Sequence, residues 1–319
     1  MSKKVPVIRK KRSEFIPVTP ASVALFRLGE QCNNDCPMCS NSGRPEAFFI
    51  SGKELLNRAD FLANQGFKRV VLTGGEPTIH PEFWEIVERV RERGMIWDVN
   101  THGRSFSDPA VASRSVKSGL KRAIVSLHSH RTKISCLISG IREKGHLETI
   151  SGIKNLVEHK VPVLVNLVLT QYNVGHLSEF LFFCRQSFGA GCGVKFVFPS
   201  TAGKGGEWEG IELRYGAIEK EVRDLQVQAQ QAGQSICFES FPICVLGARG
   251  TPNISRSGFG ETHYLEDVGG RKLYSIAFIE AEFSVYPDKC KGCAAISSCS
   301  GVATSYLKRF GDQEFSPLK

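Results

Sequence analysis

The sequence predicts an α/β fold built on a parallel sheet, and three observations carry that expectation. Short β-rich runs alternate with helical stretches through residues 22–199. The stretches between those runs repeat their apolar residues with helical, 3.6-residue periodicity. Polar residues collect at the C-terminal ends of the strand candidates, where parallel α/β folds carry their chemistry.

The elements follow in order. Strand candidates are 22–28 (SVALFRL), 69–73 (RVVLT), 96–101 (IWDVNT), 122–128 (RAIVSLH), 161–170 (VPVLVNLVLT) and 194–199 (VKFVFP). Helices are expected at 52–66, 81–94, 147–159 and 176–188. A glycine-rich stretch, 200–210, then reads as a linker or mouth loop, and a polar helix covers 211–232. Residues 271–290, bounded by Gly-Gly and proline, have the pattern of a β-hairpin arm. The organisation expected is a basic arm (1–21), a barrel (22–205), a linker and helix (206–235) and a cysteine-rich region (236–319).

With 319 residues and 41% hydrophobic composition, the chain can bury one large core with an appendage, or two modest domains. No apolar run is long enough to span a membrane, and the start of the chain lacks the apolar core of a signal peptide. Eleven cysteines without a disulfide-scaffold pattern point to a reducing compartment, the cytoplasm. The net charge of +9 is concentrated at the start, where Lys3, Lys4, Arg9, Lys10, Lys11 and Arg12 face only Glu14. Such an arm can touch RNA phosphates or an acidic peptide, or remain a solvated, disordered tail, which is the expectation here.

The densest chemical signal is Cys32-x₃-Cys36-x₂-Cys39, in QCNNDCPMC. Three thiolates at this spacing can ligate three irons of a [4Fe–4S] cluster and leave the fourth open to a small molecule, whereas ferredoxins close theirs with four cysteines. A zinc site is the alternative, but structural zinc takes four ligands and the closest histidine, His80, lies forty-one residues past Cys39. Arg69 to Thr73 then runs as a buried strand into Gly74-Gly75-Glu76-Pro77, where glycines permit close backbone approach and oxygens can accept from an ammonium group.

These two motifs together resemble the radical S-adenosylmethionine (SAM) superfamily. The resemblance implies a partial (β/α)₆ TIM-like barrel, open on one side. It implies that Cys32, Cys36 and Cys39 hold a catalytic [4Fe–4S] cluster whose open iron chelates SAM, that Gly74, Gly75, Glu76 and Pro77 orient the methionine moiety, and that Met38 packs on adenine. Asn100, in Asn100-Thr101-His102-Gly103, matches the family's Asn-Gly after strand three. Ser126 and Asn166 fall where relatives contact the ribose or carboxylate of SAM, or are satisfied core polars. Thr170 and Asn173 follow strand five. His128 is a substrate candidate at the barrel mouth, with a hydrogen-bonded structural histidine as the alternative; Arg142 is a second, with a solvent-facing arginine as its alternative. His102 and His130 are assigned no role.

Near the end of the sequence, Cys290-x₂-Cys293-x₅-Cys299 joins Cys244 upstream. Four thiols suit a tetrahedral zinc or a fully ligated [4Fe–4S] cluster equally well. The spacing, with Gly301 following, resembles the SPASM and twitch auxiliary-cluster domains of radical SAM enzymes. That resemblance favours a second, auxiliary [4Fe–4S] cluster on Cys244, Cys290, Cys293 and Cys299, in a twitch-like domain. Cys237 competes with Cys244 as first ligand, and a three-cysteine site open to substrate remains an alternative. Cys136, Cys184 and Cys192 are expected to be buried thiols.

The implied activity is reductive cleavage of SAM to a 5′-deoxyadenosyl radical, which abstracts hydrogen from a peptide or small metabolite. The electron would come from a flavodoxin- or ferredoxin-type reductant. The chain departs from the molybdopterin GTP cyclase pattern, which has a longer Cys-x₁₃-Cys spacing and a Gly-Gly-x-x-Arg tail. An RNA or nucleotide substrate brought by the basic arm is the alternative within the enzyme class. A non-catalytic metal-binding or electron-transfer protein is the alternative outside it.

Overall fold

A computed structural model describes residues 6–8, 18–19, 22–40, 48–200, 206, 208–247, 262–266, 273–275 and 283–319. In chain order these form β1 (Val7–Ile8), β2 (Ser22–Arg27), α1 (Gly52–Asn64), β3 (Arg69–Thr73), α2 (Phe83–Glu92), β4 (Ile96–Thr101), α3 (Pro109–Lys117), β5 (Leu120–Ser126), α4 (Thr132–Ser139) and α5 (Glu143–Glu158). There follow β6 (Val163–Val168), α6 (Leu177–Phe188), β7 (Gly193–Val197), α7 (Tyr215–Ala232), β8 (Ile236–Glu239), α8 (Ile243–Leu246), β9 (Thr262–Glu266), β10 (Leu273–Ser275), β11 (Ser284–Pro287), β12 (Val302–Ala303) and α9 (Thr304–Phe310).

Strands β2 to β8 lie side by side in sequence order, all parallel, as a curled half-barrel. The six expected strands are all present. The seventh, β8, falls in the region expected to open the cysteine-rich part, yet it pairs parallel to β7 from Val194↔Ile236 to Val197↔Glu239. On the other edge β9 runs parallel to β2, and β10 pairs antiparallel to β9. A separate three-stranded sheet joins β1, β11 and β12.

Local chemistry accounts for the helices. Ser51 caps α1 by accepting from the Glu54 N–H, and the helix turns Leu55, Ala59 and Leu62 into the core. Helix α2 buries Phe83, Ile86, Val87 and Val90 on one face. Helices α3 and α4 were not expected. Asp108 caps α3 by accepting from Ala110 N–H, and Pro109 starts it. Fully buried Trp97 ties β4 to the turn after α3 by donating from Nε1 to Ser118 O at 2.8 Å.

The basic residues Lys3, Lys4, Arg9, Lys10, Lys11 and Arg12, with Glu14, lie outside the described residues, as do 276–282 of the expected hairpin arm and most of the glycine-rich stretch. Residues 6–8 correct the expectation of a solvated tail. Val7 and Ile8 pair with Pro287 and Tyr286, and Asp288 N–H donates to Pro6 O at 2.9 Å. No helix among the described residues is long and apolar enough to cross a membrane.

Candidate radical SAM centre and a second cysteine site

The loop after β2 carries Cys32, Cys36 and Cys39, all half-buried and none in a disulfide. Burial pushes the Cys32 thiol up to about 11, with Glu76 and Cys39 adding to the shift. Burial also lifts Cys36 to about 12, helped by the negative charges that Cys39 and Cys32 would carry. Three thiols close enough to oppose one another's ionisation need a cation among them to become thiolates, which an iron cluster supplies. The donor set therefore fits the expected cluster.

The Gly74-Gly75-Glu76-Pro77 turn packs directly on this loop. A Cβ on Gly74 would stand 2.2 Å from Gly29 O, and one on Gly75 would stand 2.3 Å from Gln31 O. Gly75 N–H donates to Gly29 O at 3.0 Å and Glu76 N–H to Gln31 O at 2.9 Å. Both glycines are thus required by the approach of two protein backbones.

The Glu76 side chain is 2% exposed and fully engaged inside the protein. Oε1 accepts from Thr78 N–H (3.1 Å), Thr78 Oγ1 (2.6 Å) and Thr101 Oγ1 (2.8 Å); Oε2 accepts from His102 N–H at 2.8 Å. This carboxylate ties the β3 turn to the end of β4.

His102 and Arg104, to which sequence reasoning gave no part, brace the cysteine loop from that same strand end. His102 Nδ1 accepts from Arg104 N–H at 3.2 Å, so its Nε2–H donates to Asn33 Oδ1 at 2.5 Å. Burial holds this histidine below its ordinary pKa, favouring the neutral ring that such a bond pattern requires. Arg104 donates to Asn33 O and Asn34 Oδ1, both at 3.0 Å, and to Glu148 at 2.8 Å. On the other side, Cys36 Sγ lies 3.4 Å from Ser139 O at the end of α4. Gly140, with φ +60°, follows there, and a Cβ on it would stand 2.0 Å from Asp35 O.

The sheet itself carries polar residues in register. Ser126, the last residue of β5, and Asn166, within β6, are half-buried register partners. Asn100, half-buried on β4, has a buried Oδ1 with no hydrogen-bond partner. Continuing outward from Asn166, the register places Lys195 on β7 and then Cys237 on β8. Lys195 is 7% exposed and donates to Glu239 at 2.8 Å. The hint in the sequence is a lone lysine inside an apolar strand. Met38 is buried with Ile138 and Ile211, and Cys36, Ile134, Val168 and Trp208 pack on that cluster.

Four other polar residues are placed as follows. His128 is buried and pushed down to about 4 by that burial, and its Nδ1 accepts from Val168 N–H at 3.2 Å. Asn173 fixes the same corner by donating to His128 O (2.9 Å) and Val168 O (2.8 Å). Arg142 is exposed at the start of α5. His80 accepts from Glu82 N–H through Nδ1 and bonds Ile50 O at 2.8 Å, so its ring is occupied in holding loops.

The second cysteine site is a cavity lined by Cys244, Cys290, Cys293 and Cys299, with Phe315 and Pro317. Cys237 is not at this cavity. It is buried in β8 beside Lys195, and burial raises its thiol to about 12. Burial, with the charges of Cys244, Cys293 and Cys299, lifts Cys290 to about 11. The four thiols therefore share one apolar enclosure, a donor set that fits a cluster. The thiols at neither place are drawn in around a single-ion position: among the described residues no group of three or more His, Cys, Asp or Glu side chains is. Of the remaining thiols, Cys184 and Cys192 are buried as expected, whereas Cys136, on the partly open face of α4, is only half-buried.

Comparison with known proteins agrees with this geometry. The chain is 29% identical over 177 residues to the probable GTP 3′,8-cyclase of Thermococcus kodakarensis, covering 54% of each. It is 26% identical over 187 residues to the mycofactocin maturase MftC of Mycobacterium ulcerans, covering 58% of this chain and 49% of that protein. The chain spans about half the length of these curated relatives. Among solved structures, anSMEcpe with bound AdoMet and the Cp18Cys peptide superposes with a TM-score of 0.62 at 15% identity, covering 93% of this chain and 92% of that one. Streptococcus suis SuiB bound to S-adenosylmethionine gives 0.59 at 13%, covering 92% and 65%. Residues 26–184, the span that carries the cysteine loop, the glycine turn and the polar strand ends, match the Radical SAM superfamily, and the chain belongs to it.

Proposed function

We propose that the chain is a radical SAM oxidoreductase or maturase that acts on a peptide or a small metabolite. The observation that carries this reading is the packing of the three-thiol loop against the Gly74-Gly75-Glu76-Pro77 turn at the C-terminal end of β3, in a parallel sheet whose next strands carry Asn100, Ser126 and Asn166. When bound, the [4Fe–4S] cluster and SAM supply a 5′-deoxyadenosyl radical after one electron from a flavodoxin- or ferredoxin-type reductant.

The chain's own residues bind, orient and exclude water. Cys32, Cys36 and Cys39 are the cluster ligands. The backbone of Gly74, Gly75, Glu76 and Pro77 holds the SAM methionine, while the Glu76 carboxylate keeps that turn against β4. The unpartnered Asn100 Oδ1 is an acceptor for a SAM donor, and Ser126 and Asn166 meet its ribose or carboxylate. Met38, with Ile138 and Ile211, gives adenine an apolar wall and keeps water from the radical. Cys244, Cys290, Cys293 and Cys299 hold an auxiliary [4Fe–4S] cluster.

The peptide reading draws on the likeness to anSMEcpe, solved with a peptide, and to a maturase. A nucleotide substrate is the second reading, favoured by the relatives named GTP 3′,8-cyclase. Against it stands the short Cys290–Cys299 spacing.

The test is anaerobic reconstitution followed by reduction with SAM present. The intact chain should release 5′-deoxyadenosine and the Cys32/Cys36/Cys39→Ala chain none, with iron falling from about eight to about four per chain. No 5′-deoxyadenosine from a fully loaded chain would refute the reading.

A further inference from the structure

We propose that residues 315–319 are a built part of the second cysteine site, with the backbone N–H of Leu318 acting as a fixed donor to Cys293 and raising the reduction potential of the cluster that Cys244, Cys290, Cys293 and Cys299 hold. The inference rests on the auxiliary-cluster reading above and goes beyond it, because it assigns the segment that tunes that cluster.

The geometry comes from both strands of contact between the segment and the site. Leu318 N–H points at Cys293 Sγ at 3.4 Å, and Leu318 O accepts from Ala294 N–H at 2.9 Å, so the segment is paired to the cysteine-bearing loop on both sides of one residue. Phe315 and Pro317, the residues flanking Ser316, line the cavity itself. Gly301 N–H supplies a second donor, to Cys299 Sγ at 3.4 Å.

The segment is anchored from behind. Phe315 is 2% exposed and packs edge-on to Tyr215, ring centroids 5.6 Å apart. Glu314 accepts from the Tyr306 hydroxyl and from Arg214 Nε, the latter at 3.0 Å. Anchoring at 314 and 315 sets the direction in which the next N–H groups leave the chain. Pro317 spaces them, since proline fixes φ and offers no donor of its own.

Amide donors aimed at ligating sulfurs stabilise the more negative, reduced form of a cluster and lift its potential. The cavity lining is apolar, so a dipole aimed at one of its sulfurs acts in a setting of low polarity. The donor to the Cys293 sulfur comes from this segment, twenty-five positions away in the chain.

The experiment uses the full chain in the Cys32/Cys36/Cys39→Ala background, where about four irons should remain at the second site. Leu318→Pro removes one N–H, and Leu318→Ala keeps it while trimming the side chain. The midpoint potential, followed by electron paramagnetic resonance during redox titration, should move to more negative values in Leu318→Pro and stay at the parent value in Leu318→Ala. Far-ultraviolet circular dichroism checks that each chain remains folded. Loss of the remaining iron from Leu318→Pro alone, with Leu318→Ala fully loaded, also supports the assignment.

Equal midpoints in the two Leu318 variants, with iron retained, would overturn the inference and leave the cluster standing. A parent chain holding zinc or no metal would overturn the auxiliary-cluster reading, and this inference with it.

Discussion

Replacing Glu76 by glutamine separates two roles that the glycine turn permits: direct contact with SAM and organisation of the turn. The carboxylate takes three bonds on Oε1 and one on Oε2, the latter from the His102 backbone. A carboxamide has one acceptor atom. If its NH₂ replaces Oε2, it confronts the His102 N–H; if it replaces Oε1, it confronts the Thr78 N–H. Thr78 and Thr101 hydroxyls can rotate to accept, but neither backbone N–H can. Either orientation strands one buried donor, at about 1–3 kcal/mol, and forfeits the charge assistance of the rest. Glu76→Gln should therefore cost about 2–3 kcal/mol. Urea unfolding of the reduced, metal-free protein would show it as a lower midpoint with the slope preserved. A loss below about 0.5 kcal/mol together with abolished SAM binding would defeat the organising role and point to direct contact.

Three further outcomes follow from the same geometry. Gly140→Ala forces a Cβ onto Asp35 O in a left-handed backbone, so it should cost about 2 kcal/mol or more and lower iron uptake at the first site. Gly66→Ala, at φ +94° with open space around it, should cost only about 1 kcal/mol and leave iron content alone; equal iron loss in both would refute the packing argument. His128 sits at about 4 in the fold against about 6.5 unfolded, so the unfolded chain takes up the proton first. Its share of stability is constant above pH 7 and falls by about 3 kcal/mol as pH drops from 6.5 to 4. His128→Asn, which keeps an acceptor for Val168 N–H, should lack that fall, whereas parallel acid profiles would discount it. Arg104→Gln removes the ties to Asn33 and Asn34, and iron should leave the first site several-fold faster under a chelator; an unchanged rate would show that the loop holds itself.

What could be read from the sequence was local. Cys32, Cys36 and Cys39 lie in one turn of chain, and the Arg69–Thr73 strand leads directly into its glycines, so spacing sufficed. All six strands were legible because they are continuous apolar runs, whereas α3 was overlooked although Asp108-Pro109 is a helix-start signal, because its apolar residues are few and small. His102, Arg104 and Lys195 were hidden for a different reason. Their neighbours, Asn33, Asn34 and Glu239, are chosen by strand order and register, which no short window contains. Cys237 and Cys244 show the limit well. They are seven positions apart, but β8 carries the first into the barrel wall and α8 delivers the second to the other site.

The pairing of Val7 with Pro287 joins positions 280 apart in the sequence. During synthesis β1 leaves the ribosome before the barrel, and its partner strand β11 only after it. At ~5–20 residues per second that is a wait of roughly 15–60 seconds. Barrel strands, each beside its predecessor, can zip up in order meanwhile, because only local loops need closing. The second cysteine site therefore forms after the barrel, framed by a sheet that cannot exist until β11 and β12 have been made. Thiols of Cys244, Cys290, Cys293 and Cys299 stand exposed to oxidation until then, so folding delay and vulnerability to oxygen fall on the same four residues.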